Sequence, residues 1–395
     1  MTQDGSPTPD DGDDERLDGD YRVSSLELFF DLVFVFAITR VTTLLADDPT
    51  WLGMLRGFAV LAVVWWAWVG YAWLTNAVPI EDDDRARVVL LAAMVAMLVV
   101  GITIPYAFGS EAVLFGFAYL VVTLIFVTLY LVVTRDMPQM HGAVLRLAPG
   151  VLLQPVLIII AGLFSAGVMR AVLWGLALVI SFGAPFVAGT GGWQVRPSHF
   201  AERHGLIVII ALGESVVTVG LTAAEAPVTV ALLTIAGVAV LISAAMWWLY
   251  FDVVSLVAER RLHDAVGAAR NALARDSYSY IHGLMVAGIV YVALGLKKAL
   301  LHLDVPLDTV PAVALFGGLV VYLLGHLLFR LRNIRSLNVP RVVTACVLLA
   351  CIPVALVIAA WQAVALAALV MLGLVAFEAR RYSEGRARIR SELRS

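Results

Sequence analysis

A chain of 395 residues that is 61% hydrophobic and 14% charged, with a mean hydropathy of +0.92, cannot coat itself with a polar surface, since a soluble domain carries about 25% charged residues. Composition therefore excludes an ordinary soluble globular protein and makes the lipid bilayer the solvent. The formal net charge of −3 is segregated along the chain rather than gathered in a basic patch, so nucleic-acid binding is not indicated.

The first twenty residues set eight acids against Arg16 alone, among Ser, Pro and Gly, so 1–22 is expected to be a disordered, acidic cytoplasmic tail. This stretch lacks the basic start, short apolar run and cleavage site of a secretory signal. The first hydrophobic helix is thus expected to serve as its own insertion signal. Measured against the roughly 20 apolar residues that cross a bilayer, spans fall near 25–46, 51–74, 86–107, 111–133, 144–164, 170–189, 204–222, 227–251, 277–300, 309–331, 341–359 and 361–378. The last two form one long run, expected to fold back near Trp361-Gln362; without that reversal one crossing is lost.

Alternating the loops between sides puts 22 of the 27 Lys and Arg with both termini and leaves Arg40, Arg56, Arg170, Lys297 and Lys298 opposite. The positive-inside rule then makes both termini cytoplasmic, in a cell (inner) membrane, with the basic tail 379–395 against anionic lipid headgroups. Cys346 and Cys351 lie five apart in one apolar run and face different directions on a helix, so they imply neither a disulfide framework nor a thiolate site.

An internal likeness links Glu27-Leu-Phe-Phe-Asp-Leu-Val-Phe-Val-Phe-Ala-Ile-Thr-Arg40 to Glu202-Arg-His-Gly-Leu-Ile-Val-Ile-Ile-Ala-Leu-Gly-Glu-Ser215. Aromatic clusters follow each, Trp65-Trp66-Ala67-Trp68 and Trp247-Trp248-Leu249-Tyr250-Phe251. Six helices separate the copies, an even number, so the halves share one orientation. The expected fold class is all-α, a polytopic integral membrane protein of about twelve helices in two parallel six-helix repeats, 23–196 and 197–378.

Ionisable groups inside spans cost about 2.5–3.5 kcal/mol each on the insertion scale and need a partner or a task. Glu27 and Asp31 share one helix face, with Arg40 about two turns beyond Asp31. They read either as a cation or proton site or as a structural pair with an arginine on another helix. The seventh span opens with His199, Glu202, Arg203 and His204 and carries Glu214 deep in its apolar run. His199 and Glu202 suit one face but His204 does not, so no metal site is expected. Glu214 follows Gly213, which allows a neighbour close, and would pair with an arginine or histidine unless it titrates. His282 follows Tyr278 and His326 follows Tyr322 by four residues, placing each His on its Tyr's face. They read as neutral imidazoles bonded to tyrosine or as a titrating relay. Gly283, Gly288, Gly295, Gly317, Gly318 and Gly325 favour tight packing of these helices. The Trp and Tyr clusters fit an interfacial belt better than an aromatic cage. No nucleotide loop, nucleophile elbow or metalloprotease helix occurs, so no enzyme and no cofactor are expected.

The strings beginning at Glu27 and His199, with Tyr322-Leu-Leu-Gly-His-Leu-Leu-Phe-Arg330, resemble the bacterial low temperature requirement A (LtrA) family over about residues 22–378. The resemblance implies a polytopic inner-membrane protein named for a cold-growth phenotype and brings no biochemical activity. Asp31-Leu-Val-Phe-Val-Phe-Ala-Ile-Thr39 is also similar to the first-helix signature Phe-Ser-Asp-Gly-Val-Phe-Ala-Ile-Ala-Ile-Thr of the endolysosomal and bacterial unconventional potassium channels, but Phe30 directly precedes Asp31 and Leu32 replaces the glycine. That likeness implies a path lined by the first and seventh helices and constricted by Phe34, Ile38, Ile209 and Leu212. The combined expectation is a transporter or channel for a small ion or solute, with Glu27, Asp31, Arg40, Glu202, His204, Glu214, His282 and His326 along its path. The alternative is a non-transporting membrane protein that supports the envelope in the cold through lipid or partner contacts. Membrane lipids are the expected partners, and homo-oligomerisation is left open.

Overall fold

The computed structural model describes residues 22–78 and 83–381; the acidic tail before residue 22 and the basic segment after 381 lie outside the described residues. The chain is all helical: α1 Ser25–Asp47, α2 Trp51–Ala77, α3 Asp84–Thr103, α4 Ala112–Val133, α5 Pro138–Leu163, α6 Val168–Ala188 and α7 Pro197–Ala224 come first. There follow α8 Val230–Phe251, a short amphipathic α9 Val254–Asp264, α10 Gly267–Leu301, α11 Thr309–Ile334, α12 Val339–Ala355 and α13 Ala360–Arg381. Eleven of the described helices are long and apolar enough to cross a membrane, and α12 is a shorter apolar one. The protein is a multi-pass membrane protein.

Starts and stops follow from local chemistry. Ser24 and Glu27 form a capping box on α1, and Thr50, Asp83, Thr229 and Asn338 accept first-turn backbone N–H bonds at α2, α3, α8 and α12. Pro138 and Pro197 open α5 and α7, where the missing N–H costs nothing. The final apolar run does reverse, but in the turn 356–359 rather than at Trp361-Gln362, which lie in the first turn of α13. A backbone latch sets this position: Ala360 N–H and Trp361 N–H donate to the carbonyls of Val305 and Leu303, at 3.0 and 3.1 Å, in the α10–α11 loop.

Loops that the charge count puts on one side also touch one another. On the arginine-poor side Arg170 donates to the carbonyls of Phe108 and Phe164, joining the α3–α4 and α5–α6 turns. On the arginine-rich side Asn76 binds Arg196, and Asn271 donates to the carbonyls of Thr190 and Trp193. There Arg341 also holds Glu378 with two bonds of 2.9 Å and caps the Leu249 carbonyl, tying α12 and α13 to α8.

Helix neighbours follow a similar order in α1–α6 and from α7 onward. Within α1–α6, α1 packs on α2 and α3, α3 on α4, α4 on α5, α5 on α6, and α2 on α6. From α7 onward, α7 packs on α8 and α10, α10 on α11, α11 on α12, α12 on α13, and α8 on α13. The halves meet along a parallel seam of α1 and α7, with α10 beside both. Side chains such as Val179 and Leu369, each 70% exposed, form the apolar outer surface that lipid covers.

The tightest contact is α10 on α11. A Cβ on Gly295 would lie 2.6 Å from Leu315 Cβ and backbone N, and one on Gly288 would lie 2.7 Å from the Gly318 carbonyl. Lacking a hydrophobic drive between helices, this pair is held by backbone approach. Gly295→Val is expected to destabilise by about 1–3 kcal/mol or more, seen as an earlier thermal loss of the monodisperse peak in detergent. Gly175→Ala, where nothing lies within 4 Å of the new methyl, should melt no earlier than the parent chain.

Candidate functional site

The first two turns of α7 enter beside the first two turns of α1 and the last turns of α2, and three ionisable side chains are buried where they meet. Arg203 and Asp31 are 0% exposed and Glu27 4%. Arg203 donates from Nη1 to Glu27 Oε1 (3.0 Å) and to Thr75 Oγ1, and from Nη2 to Asp31 Oδ1 (2.8 Å). Trp68 Nε1 donates to the same Asp31 oxygen at 2.9 Å, and the guanidinium stands 5.7 Å over the Trp68 ring. The other Glu27 oxygen accepts from His199 Nε2 and from the Ser24 N–H, each at 3.0 Å, so one carboxylate caps α1 and binds α7.

The protonation of His199 follows from Asn76. The Arg196 N–H donates to Asn76 Oδ1 at 2.9 Å, which fixes the amide so that its NH2 group faces His199 Nδ1, also at 2.9 Å. An N–H aimed at Nδ1 requires a lone pair there. The proton must then sit on Nε2, where it donates to Glu27, and the ring is neutral. Two carboxyl groups thus face one guanidinium, and with both ionised the group of Glu27, Asp31, Arg203 and His199 would carry one negative charge in excess. Asp31 Oδ2 is buried without a hydrogen-bond partner.

A second buried carboxylate lies further along the same seam. Glu214, 1% exposed, accepts from Thr218 Oγ1 at 2.7 Å through Oε1, while Oε2 has no partner. Thr42 of α1 and Lys297 of α10 stand near it. Arg40 is half-buried, with Nε unpartnered. Glu202 lies outside the buried group, on the exposed side of α7, and accepts from the Val23 N–H at 3.1 Å.

The histidines deeper in the bundle form an aromatic row that begins against the Trp68 ring, whose centroid lies 4.9 Å from that of His204. His282 Nδ1 donates to the Ser277 carbonyl at 3.0 Å, so its Nε2 accepts from Tyr250 Oη at 2.8 Å. Its predicted partner Tyr278 instead stacks on it, ring centroids 5.0 Å apart, because residues 274–281 form a π turn that shifts the helical register. His204 Nδ1 donates to the Phe200 carbonyl at 2.8 Å, and Nε2 has no partner. His326 packs against the Tyr322 ring at 4.6 Å with both nitrogens unpartnered, and the Tyr322 hydroxyl goes to the Met246 carbonyl.

Phe34, Ile38 and Leu212 are packed in the core at 5% exposure or less, whereas Ile209 is exposed. Ile209 lines a polar vestibule of about 480 Å³ at the mouth of α7, shared with Arg22, Arg196, His199, Glu202 and Glu259. Sequence reading placed Glu27 and Asp31 correctly on one face but passed over Arg203, Thr75, Asn76 and Trp68. Arg203 stands at a helix mouth, where a cation reads as a loop charge, although His199 and Arg203 are spaced i, i+4 and so share a face one turn into the helix.

The family model for the bacterial low temperature requirement A protein (LtrA) matches residues 22–376. An uncharacterized protein of Rhizobium meliloti strain 1021, RA0937, is 30% identical over 318 residues, covering 77% of this chain and 76% of that protein. No solved structure matches. The chain belongs to the LtrA family.

Removing one partner from a buried ion group strands the others and costs about 3–5 kcal/mol, whereas replacing the whole group with neutral residues is often tolerated. Arg203→Met is therefore expected to reduce folded yield and melting temperature strongly. The triple variant Glu27→Gln/Asp31→Asn/Arg203→Met should recover most of the loss. The check is thermal challenge followed by size exclusion, and a single variant that melts like the parent would remove the cluster from the stability account.

Proposed function

We propose that this LtrA-family protein moves a small cation or proton, as a transporter or channel in the cell membrane, and that the α1–α7 seam is its coupling element. The observation that carries this reading is Asp31 itself: a fully buried carboxyl group with one oxygen unpartnered, in a group that sets two carboxyl groups against one guanidinium. A buried excess charge is unstable without a counter-ion. A proton or a small cation on Oδ2 supplies that balance, and exchanging it changes what holds α1 to α7.

Glu214 offers a second half-satisfied carboxylate. Thr42, beside it, is eleven residues beyond Asp31 on α1, about 16 Å along the axis at 1.5 Å per residue. The vestibule bordering His199 gives water access from the arginine-rich side, which positive-inside reasoning makes cytoplasmic, together with both termini. The recurring neighbour pattern of α1–α6 and α7–α13 supports two parallel six-helix repeats, with the seam at their junction. In this reading the packed Phe34, Ile38 and Leu212 are the closed barrier between the two carboxylates. The row of His204, His282 and His326 lies outside the cation path, the partners are lipid and ion rather than nucleic acid, and no chemical step is catalysed. The requirement for growth in the cold then reflects an ion gradient or solute balance.

The alternative, a non-transporting scaffold, draws on the bonding of both α1 carboxylates by Arg203. The two readings separate in liposomes carrying the purified protein, with potassium and proton gradients imposed in turn. We expect flux in one gradient, falling to the rate of protein-free vesicles in Asp31→Asn and reduced in Glu214→Gln, with both variants folded. Parental flux in both variants would dismiss these residues from the path. Silence of the folded parent in every gradient would favour the scaffold.

A further inference from the structure

On the arginine-poor side a groove of about 470 Å³ runs between α2 and α6 and opens on the outer surface of the bundle. Leu52, Leu55 and Val168 line it and are 53%, 65% and 81% exposed, so it can be entered from the bilayer. A Cβ built on Gly175, in the same wall, meets nothing within 4 Å. Behind these residues Trp174 is stacked on Phe108, with ring centroids 4.6 Å apart.

Two guanidinium groups stand at one end of this groove, and both are seated on Phe108. Arg56 lies over its ring at 5.6 Å, while Arg170 donates to its backbone carbonyl and to that of Phe164. Carbonyls hold Arg170 in place without cancelling its charge, and among the described residues no carboxylate pairs with it. Arg56 has Asp48 as its ion-pair partner at 3.6 Å, too long for a hydrogen bond, with the two side chains 32% and 39% exposed. An open pair of this kind is screened and weak. Two cations against one carboxylate leave one positive charge in excess, and no carboxylate lines the groove itself. The groove between α3 and α4, on the arginine-rich side, lacks that excess, because Asp83 and Asp136 line it together with Arg85 and Arg135.

The groups are ordered along the membrane normal as a phospholipid is. Arg56 is the sixth residue of α2 and Arg170 the third of α6, which puts both near headgroup level. Leu178 carries the apolar wall eight residues past Arg170, about 12 Å towards the bilayer centre at 1.5 Å per residue. We propose that this groove binds one anionic phospholipid, its phosphodiester at Arg56 and Arg170 and one acyl chain between α2 and α6 past Gly175. Guanidinium groups match phosphate oxygens with paired N–H donors, and the excess charge favours a net-anionic lipid over a zwitterionic one. The inference stands apart from ion movement, since none of the α1–α7 cluster lines this groove.

The test titrates the full chain in detergent with phosphatidylglycerol, or with phosphatidylcholine of the same acyl chains, and counts bound lipid by native mass spectrometry. One phosphatidylglycerol is expected to bind about fivefold more tightly than phosphatidylcholine, the worth of one cation at a membrane surface. Arg56→Gln should remove that preference. Gly175→Phe, whose ring enters the open groove, should prevent the binding while melting like the parent. Arg135→Gln, in the charge-balanced groove, should change neither affinity. Equal affinity of the parent for the two lipids, or a preference kept by Arg56→Gln, would overturn the proposal; the first comparison needs no variant and holds even where a substitution fails to fold. Displacement by inorganic phosphate would reassign the two arginines to a free anion, and a dimer in place of the bound lipid would give the groove to a second copy of this chain.

Discussion

A single guanidinium shared between two carboxyl groups, out of reach of water, sets the geometry of the seam between α1 and α7. Arg203 enters on the second turn of α7, and Glu27 and Asp31 stand one turn apart on α1. Because charged groups in a low-dielectric interior cannot be left alone, these three side chains fix the axial register of α1 against α7. Trp68 and Thr75 bring α2 into the same register. Asn76 then ties α2 to the start of α7 through both polar ends of its amide. The N-terminal capping box, the seam and the α6–α7 connection therefore share one set of hydrogen bonds.

Balance of bonds and balance of charge part company at this point. Glu27 is fully engaged, by a cation, an imidazole N–H and a backbone N–H, whereas Asp31 spends one oxygen twice and leaves the other open. A purely architectural ion group would be neutral, and substituting asparagine for Asp31 would make it so. Retention of an extra carboxyl group in hydrocarbon is costly, which is the physical ground for the proposed exchange of a proton or small cation there. Glu214 repeats the pattern further along α7, with one oxygen bonded to Thr218 and the other open.

Much of the fold was legible in the sequence because the bilayer imposes few solutions. Apolar run length located the eleven membrane-length helices and the shorter α12, but it began α5, α7 and α10 six, seven and ten residues late because polar residues open those helices, and it did not foresee the short α9; the alternation of arginines matched the loops that touch on each side. The reversal before α13 was displaced by a few residues because a long-range backbone latch to Val305 and Leu303, invisible in a local apolar run, chooses its place. At the site, spacing on α1 was readable, since two carboxylates four apart must share a face. Arg203 was not, because a cation at a helix mouth looks like a loop charge until its partners are known. The tyrosine partners of His282 and His326 failed for a different reason: the i, i+4 rule presumes an α-helix, and the π turn at 274–281 breaks that register ahead of His282. For His326, Tyr322 shares the face but sends its hydroxyl to the Met246 carbonyl instead.

The claim on which the charge argument turns is the neutral state of His199, since a protonated imidazole there would cancel the excess at Asp31. Nitrogen-15 NMR of imidazole-labelled protein in bilayers, with His199→Gln to assign the signal, reads the two ring nitrogens directly. The account predicts a neutral ring, protonated on Nε2 and bare on Nδ1. Two protonated nitrogens would make the cluster electrically complete and leave no vacancy for a moving cation.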